Sequence, residues 1–339
     1  MRSFKRTLWK AAVFLLSVFV ISEIIVEPYF HSEVYHYQDA AVRDSMAGTL
    51  DLLISGSSHA YRGLMPEVLD EKLGCNSYNL STSLMTMAGR YELLKKELGR
   101  NPVKTVILDL SYNTLTRNRI TEGPEGDLYQ LGRYPNYLER MGYFFRHFQL
   151  NEYARTYYDT MNRGIQSWKR LLRGEGRRGS SEKYATKGWQ GADSTPIPPL
   201  EEDQVHSRPL RTKNDRSDLD YLTKILTLCK EKGIQVILVT LPISERITRM
   251  YDGLDEIYGQ YVELSRTWGL PFYDFNLYRG KTGLFSDETA FCDISHMSEE
   301  GSRNFTDLLA DVLLRIQAGE DISGLFYDSY AQAEAGEAA

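Results

Sequence analysis

The chain has 339 residues and a formal net charge of −6 at pH 7. This length suits one large domain or a core domain with an insertion, and the mixture of basic and acidic residues gives no reason to expect nucleic-acid binding. The cysteines are few, odd in number and widely spaced, so they predict neither a disulfide framework nor a metal site: Cys75, Cys229 and Cys292.

The first 30 residues differ in composition from the rest. Four basic residues lie near the start: Arg2, Lys5, Arg6 and Lys10. An uncharged run from Ala11 to Ser22 follows, and the segment from Leu8 to Val26 would be about 28 Å long as a helix, close to the thickness of a bilayer core. Residues 1–30 are therefore predicted to form a cytoplasmic end and one membrane-spanning helix, with the main domain outside the cytoplasm.

A cleaved secretory signal is the alternative interpretation of this segment, because its uncharged core is short. No A-x-A-like cleavage site follows Ser22, which favours the uncleaved anchor. Both interpretations predict an exported main domain.

Beyond a juxtamembrane linker over residues 31–48, strand and helix patterns alternate. The predicted strands cover residues 51–54, 77–80, 105–110, 234–241 and 272–275. The predicted helices cover residues 66–73, 91–98, 219–232 and 304–316. This alternation predicts an α/β domain over residues 49–320, with a five-stranded parallel sheet in a flavodoxin-like, doubly wound order. An acidic tail over residues 321–339 is expected to be flexible.

The interval between the third and fourth predicted strands is too long for a simple crossover and predicts an insertion over about residues 114–205. It is rich in tyrosine and arginine, and its middle reads as helical. In one interpretation it forms a lid or groove wall, where aromatic rings stack on sugars and arginines hold anionic groups. In the other it is a helical insertion whose tyrosines pack on the sheet.

Two distant motifs carry reactive side chains. Gly56-Ser57-Ser58-His59 follows the first predicted strand, and Asp293-Ile294-Ser295-His296 precedes the last predicted helix. Together they supply the hydroxyl, imidazole and carboxylate of an activated serine. We predict Ser58 as the nucleophile, His296 as its base and Asp293 as the carboxylate that orients the base. Ser298 behind them is expected to cap the following helix.

Candidate donors for an oxyanion follow other strands of the same sheet. In an open α/β sheet, ligands bind beyond the carboxyl ends of the strands, and Ser81 and Asn113 follow the second and third predicted strands. The predicted oxyanion hole consists of the backbone N–H groups of Ser58 and Ser81 and the side-chain amide of Asn113. Asn113 could instead be a turn former, and His59 is expected to be a packed or exposed neighbour.

This arrangement resembles the SGNH (GDSL-like) hydrolase superfamily, which is named after a serine, a glycine, an asparagine and a histidine in separate sequence blocks. The first block is similar to residues 56–58, with Ser57 where many members carry aspartate. Ser81 stands in place of the usual glycine of the second block, and Asn113 keeps the asparagine of the third. Residues 293–296 match the fifth block. The resemblance implies an SGNH-like fold and an acyl-serine intermediate, and it implies no metal or organic cofactor.

An anchored domain that begins with Gly-Ser-Ser-His is similar to the membrane-tethered branch that includes lipoteichoic-acid D-alanylation and alginate O-acetylation proteins. That similarity implies an extracytoplasmic esterase or O-acyltransferase acting on acyl esters of a cell-surface glycopolymer. A multi-span membrane-bound O-acyltransferase is then a candidate partner. The alternative is a non-catalytic polymer-binding or assembly subunit on a degenerate SGNH fold, favoured by the departures at Ser57 and Ser81.

Residues 56–60 also approach the G-x-S-x-G elbow of α/β-hydrolases. In that family the nucleophile follows a central strand well inside the fold, whereas Ser58 follows the first predicted strand. Its acid and histidine usually lie on separate loops, whereas Asp293 and His296 are three residues apart. The sequence therefore favours the SGNH arrangement.

Overall fold

The computed structural model describes residues 2–21, 36–116, 137–147, 182–184 and 187–337, together with positions 134, 149, 152 and 173. The chain divides into two compact units. The first comprises Met1–Ala41 and Leu131–Gly179, and the second comprises Val42–Gln130 and Ser180–Ala339. Most of the predicted helical middle of the insertion lies outside the described residues.

The helices are numbered in chain order. Their bounds are α1 Arg2–Ile21, α2 His36–Ser45, α3 Ser58–Gly63, α4 Pro66–Leu73, α5 Met87–Leu98, α6 Tyr137–His147, α7 Arg216–Glu231, α8 Glu245–Met250, α9 Leu254–Trp268, α10 Lys281–Leu284, α11 Glu299–Gln317 and α12 Tyr330–Glu337. Short 3-10 turns cover Glu202–Gln204, Phe275–Leu277 and Ser323–Leu325.

Helix α1 of the first unit differs from the predicted membrane span. Among the described residues, no helix has both the length and the apolar character needed to cross a bilayer. Four of the first nine residues of α1 are basic, which lowers its mean hydropathy, and the helix ends at Ile21. Residues 22–26 of the predicted span lie outside the described residues.

The second unit is built around a parallel sheet of five strands. The strands of this unit are β1 Leu52–Ser55, β2 Ser77–Asn79, β3 Thr105–Asp109, β4 Glu182–Tyr184, β5 Gln190–Ala192, β6 Arg208–Pro209, β7 Gln235–Thr240, β8 Tyr251–Asp252 and β9 Phe272–Asp274. The main sheet has the order β2-β1-β3-β7-β9, and all its pairs are parallel. Counting these five alone, the order is 2-1-3-4-5, so the predicted doubly wound α/β sheet is confirmed.

Burial explains why the central strands form where they do. Every residue of β1 is buried, and so are Val106, Ile107 and Leu108 in β3. Parallel strands covered by helices on both faces read as continuous apolar runs. One apolar core joins the strands to α11, and its members include Ile54 of β1, Ile107 of β3, Val239 of β7 and Phe305 of α11. The sheet is thus a rigid base for the residues at its carboxyl edge.

The described part of the predicted insertion contains helix α6 in the first unit and, in the second, strands β4 and β5 and a 3-10 turn. Strands β4 and β5 pair antiparallel. Just before β5, the Asn79 N–H of edge strand β2 donates to the Lys187 carbonyl at 2.9 Å. Gly188 follows with φ +85°, and a Cβ there would lie 2.0 Å from the Asn79 oxygen, so only glycine fits. The segment that leads into β5 therefore packs on the edge of the main sheet.

Hydrogen bonds join the described part of the acidic tail to α9 and β9. Helix α12 ends the described chain, and the Tyr330 hydroxyl donates to Asp274 Oδ2 at 2.9 Å. The Tyr330 and Ala331 N–H groups donate to the Asp255 carboxylate at 2.7 and 3.2 Å. These bonds, which the acidic composition does not reveal, hold the tail on α9 and β9.

Candidate active site

The residues predicted to carry chemistry follow the carboxyl ends of the strands. Ser58 is the first residue of α3 after β1, and Ser81 follows β2. Asn113 lies in the turn after β3, and residues 293–296 form a loop before α11. Because the strands are parallel, these segments share one edge of the sheet.

The predicted base and its carboxylate form a hydrogen-bonded pair. His296 Nδ1 lies 2.8 Å from Asp293 Oδ2 and 3.0 Å from Oδ1. The Asp293 Oδ1 also accepts from the N–H groups of Ser295 and His296, each at 2.9 Å. Burial alone would raise the pKa of the Asp293 carboxyl, but these hydrogen bonds and the His296 ring hold that pKa well below its ordinary value. Asp293 is thus an ionised acceptor for the Nδ1 proton.

The same pairing determines the state of the other ring nitrogen. Since Nδ1 donates to Asp293, Nε2 of a neutral His296 carries the lone pair. Nε2 is buried and forms no hydrogen bond with any described residue. An unsatisfied buried acceptor is uncommon, and this one is chemically suited to take a proton from a hydroxyl.

Hydrogen bonds on both sides fix the loop that carries this pair. The Ser244 hydroxyl donates to the Ile294 carbonyl at 2.5 Å, and the Cys292 N–H donates to the His296 carbonyl at 2.9 Å. Ser298 accepts from the Gly301 N–H at 3.1 Å, so its predicted role as a helix cap is confirmed. The loop is therefore held by its neighbours rather than by burial.

The two distant motifs meet in the fold. The His59 ring stacks on the His296 ring, with centroids 5.3 Å apart and planes inclined by 30°. Ser58 immediately precedes His59 and is partly exposed. No hydrogen bond joins the Ser58 hydroxyl to Nε2 of His296, and such contacts are often long before substrate binds. The structure thus brings His296 beside the Ser58 segment.

A buried carboxylate that sequence reasoning missed lies beneath this segment. Asp109 ends β3 and is fully buried. Its Oδ2 accepts from the Ser57 N–H at 3.3 Å and lies 3.4 Å from the Ser57 hydroxyl. A Cβ at Gly56 would lie 2.7 Å from the Asp109 Cβ and 2.4 Å from the Ala60 Cβ, which explains the glycine. A charged residue at the end of an apolar strand was the available signal.

Asp109 also organises the His59 ring. The Ser111 hydroxyl lies 3.0 Å from both Asp109 oxygens, and His59 Nδ1 lies 3.3 Å from Ser111 Oγ and 3.4 Å from Ser57 Oγ. Burial raises the pKa of the Asp109 carboxyl, against the opposing charge of Arg90 and the hydrogen bonds from both serines. We call Arg90, Asp109, Ser57, Ser111 and His59 the Asp109 network.

The predicted oxyanion donors differ in their surroundings. As the first residue of α3, Ser58 has a backbone N–H without a helical acceptor. The Ser81 N–H, however, donates to Asn79 Oδ1 at 3.1 Å, while Asn79 Nδ2 donates to the Ala60 and Leu64 carbonyls, each at 2.9 Å. Asn113 is half-buried in its turn. The Ser81 N–H therefore already has an acceptor inside the fold.

Among the residues that the structure describes, no group of three or more His, Cys, Asp or Glu side chains could hold a metal ion. The arrangement contains a hydroxyl, a base with a free lone pair and an ionised carboxylate, which are the components of serine-based acyl transfer.

Among known proteins, the chain is similar only to solved structures. No family model matches the sequence, and no curated protein matches it. The chain is similar to a structure described as a lipolytic protein of the G-D-S-L family from Desulfitobacterium hafniense, at 11% identity and a TM-score of 0.38, over 77% of this chain and 98% of that one.

Two further solved structures are similar to the chain. One is a GDSL-like lipase from Bacteroides thetaiotaomicron, at 9% identity and a TM-score of 0.40, over 84% of this chain and 99% of that one. The other is a lipase/acylhydrolase from Enterococcus faecalis, at 12% identity and a TM-score of 0.37, over 80% and 96%. Two of these three descriptions name the GDSL family.

Proposed function

We propose that the protein is a serine esterase or O-acyltransferase that acts on acyl esters through Ser58, His296 and Asp293. The observation that carries this proposal is the environment of the His296 ring. Its Nδ1 is bound to an ionised carboxylate, its Nε2 has no acceptor or donor among the described residues, and its face lies against the residue next to Ser58. This combination suits a general base for a nearby hydroxyl.

The first half of the reaction forms an acyl-enzyme. Ser58 Oγ attacks the ester carbonyl carbon while its proton passes to Nε2 of His296, and the carbonyl electron pair moves to the oxygen. When the tetrahedral intermediate collapses, the bond to the leaving alcohol breaks and His296 returns the proton to that alcohol. Asp293 stabilises the imidazolium that exists between these steps.

The second half releases the acyl group. Water or a sugar hydroxyl attacks the acyl-Ser58 carbonyl while its proton passes to His296, and the proton then returns to Ser58 Oγ as the ester bond to serine breaks. Water as the acceptor makes the protein an esterase, and a sugar hydroxyl makes it an O-acyltransferase. Both reactions need the same three side chains.

The Ser58 N–H and the Asn113 amide are the proposed donors to the oxyanion. Such donors are worth about 3 kcal/mol each in the transition state. The Ser81 N–H would have to be shared with Asn79, so we assign it a smaller part in this role than the other two.

Reaction with a fluorophosphonate probe tests the nucleophile. We expect covalent labelling of the wild-type protein at Ser58 and none of Ser58→Ala. Ser207→Ala removes an exposed serine whose hydroxyl donates to the Gln204 carbonyl, and it serves as the matched control that keeps full labelling. Equal labelling of the wild type and Ser58→Ala would overturn the proposal.

We further propose a cell-surface glycopolymer as the acylated substrate, an extracytoplasmic location on a single-pass anchor, and a multi-span O-acyltransferase as a partner. Support comes from the motif resemblance and from the basic residues that precede the uncharged run. Incubation with an O-acetylated polysaccharide, followed by measurement of free acetate and of acetyl transfer to an added oligosaccharide, separates hydrolysis from transfer. A reporter enzyme that is active only after export, fused to the C-terminus, tests the location.

A polymer-binding subunit without catalysis is the second candidate. The observation in its favour is the Ser81 N–H, which is engaged by Asn79 and therefore less available to an oxyanion. Polysaccharide binding that survives Ser58→Ala combined with His296→Ala, in a protein that does not turn over p-nitrophenyl acetate, would support this candidate.

A further inference from the structure

A second imidazole lies against the proposed base, and it is held by a different carboxylate. His59 is 8% exposed, and its ring stacks on His296. Its Nδ1 faces the hydroxyls of Ser57 and Ser111, and both hydroxyls donate to the Asp109 carboxyl group. The base therefore has a carboxylate partner at its edge and a hydrogen-bonded ring on its face.

The hydrogen-bond directions in the Asp109 network determine the orientation of His59. A serine hydroxyl has one proton, and Ser111 Oγ donates it to the Asp109 carboxyl group, 3.0 Å from each oxygen. Its lone pairs then accept from His59, which places a proton on Nδ1 of that ring. The ring is thus fixed through its edge, and one face remains directed at His296.

Two separate contacts are needed to fix the plane of His296. The contacts of Nδ1 with both Asp293 oxygens and, at 3.3 Å, with Ser295 Oγ all lie at one edge of the ring and leave it able to tilt about that edge. A ring stacked on its face opposes this tilt, because tilting would separate two flat surfaces that are in contact. The His59 face, 5.3 Å away, has this geometry.

We propose that His59 is a positioning residue for His296, and that Asp109 holds it in place through the hydroxyls of Ser57 and Ser111. This inference rests on the proposed function, because it assigns the base to His296. The same Asp109 oxygen that faces the Ser57 hydroxyl accepts the Ser57 N–H at 3.3 Å. One buried carboxylate thus fixes the backbone that precedes the nucleophile and the ring that faces the base.

The arrangement also gives a physical account of Ser57. An aspartate at this position would place a second carboxylate against Asp109 in a buried site, where like charges repel strongly. Serine instead supplies a neutral hydroxyl that Asp109 can contact. The carboxylate at this edge of the sheet comes from the neighbouring strand β3 rather than from the motif itself.

A matched pair of substitutions separates the ring face of His59 from its hydrogen bond. His59→Asn keeps an amide nitrogen near the Nδ1 position and removes the face, whereas His59→Phe keeps the face and removes the donor. We expect kcat for p-nitrophenyl acetate to fall about tenfold in His59→Asn with KM changed less than twofold. In His59→Phe, kcat should return to within about threefold of the wild type.

NMR of protein labelled with ¹⁵N-histidine gives a readout that does not depend on turnover. In the wild type, His296 should show a single tautomer with its proton on Nδ1. In His59→Asn, we expect a second tautomer or exchange-broadened ring signals for His296, although Asp293 is intact. Ser111→Ala provides the same test with the His59 ring retained, in case His59→Asn does not fold, and should broaden the His296 signals to a smaller extent.

Unchanged His296 signals and unchanged kcat in folded His59→Asn would overturn this inference. A kcat loss of equal size in the Asn and Phe variants, without a change at His296, would also contradict it, because the ring face would then not matter. Failure of the proposed function is distinguishable: Ser58 would not react with the fluorophosphonate probe, while the His296 tautomer would still respond to His59→Asn.

Discussion

The nucleophile side and the base side of the candidate site are held in different ways. Ser58 follows Ser57, whose N–H donates to the fully buried Asp109 carboxyl group of the neighbouring strand β3. His296 is held by Asp293, three residues away on the same loop, and the Asp293 side chain is half exposed. The first arrangement depends on tertiary packing and the second on local geometry. Substitutions on the two sides should therefore separate stability from activity.

The largest expected effect is the loss of activity on the base side. In His296→Ala, kcat for p-nitrophenyl acetate should fall about 10⁴-fold, because no group remains to take the Ser58 proton. The melting temperature should change little, since the side chain lies on a partly exposed loop. Steady-state kinetics and thermal unfolding monitored by circular dichroism measure the two quantities. Activity within tenfold of the wild type would remove His296 from the mechanism.

On the nucleophile side, the large effect should be on stability. Asp109→Ala leaves the buried Arg90 guanidinium without its carboxylate neighbour, and breaking a buried ion pair in this way costs about 3–5 kcal/mol. Urea unfolding measures the free energy of unfolding. Asp293→Ala is the matched carboxylate removal on the base side and should cost under about 1 kcal/mol. Equal losses in the two variants would contradict the contrast between the two sides.

A smaller effect is expected from a methyl group placed beside Asp109. Gly56→Ala would put a Cβ 2.4 Å from the Ala60 Cβ and 2.7 Å from the Asp109 Cβ, and such overpacking costs about 1–3 kcal/mol. Gly259→Ala in α9 is the control, because no atom lies within 4 Å of its added Cβ. That change should stabilise the helix by about 0.5–1 kcal/mol. If urea unfolding shows a lower free energy of unfolding for Gly56→Ala and a higher one for Gly259→Ala, the close packing at Gly56 is supported.

The smallest expected effect is on the pH dependence of stability. Burial raises the pKa of the Asp293 carboxyl in the folded protein. Its bonds to His296 and to the loop backbone lower this pKa by more, so the folded-state pKa lies below the ordinary value. Its contribution to stability is therefore present above pH 3.8, the ordinary value, and is lost as the pH falls through the lower folded pKa. Wild type should lose more stability than Asp293→Asn between pH 5 and pH 2. If the wild type and Asp293→Asn lose the same stability as the pH falls, as measured by acid unfolding, the predicted direction is contradicted.

Much of the fold could be predicted from the sequence because its signals are local. The apolar runs of β1, β3 and β7 identify strands buried on both faces, and their alternation with helices gave the parallel sheet. The Asp293–His296 pair was predictable for the same reason, since its members are three residues apart. The helix cap at Ser298 has a local signature as well.

Most of the contacts that could not be predicted join residues far apart in the chain, and one is local but depends on a side-chain rotamer. Asp109 meets Ser57 only because β1 and β3 are neighbours, and strand order alone does not show which side chains will touch. The Ser81 N–H is bound by an asparagine two residues earlier, which is a matter of rotamer choice. The hydrogen bond from Tyr330 to Asp274 joins residues 56 positions apart, and the acidic composition of the tail does not predict it.

The contact between Lys187 and Asn79 has a consequence for how this molecule meets others. Strand β2 is the outermost strand on its side of the main sheet, and the unpaired backbone of such a strand invites pairing with a foreign chain. Here the protein's own backbone takes the Asn79 N–H, with Gly188 in close contact. An incoming strand cannot pair at that position, which protects this margin of the sheet against aggregation.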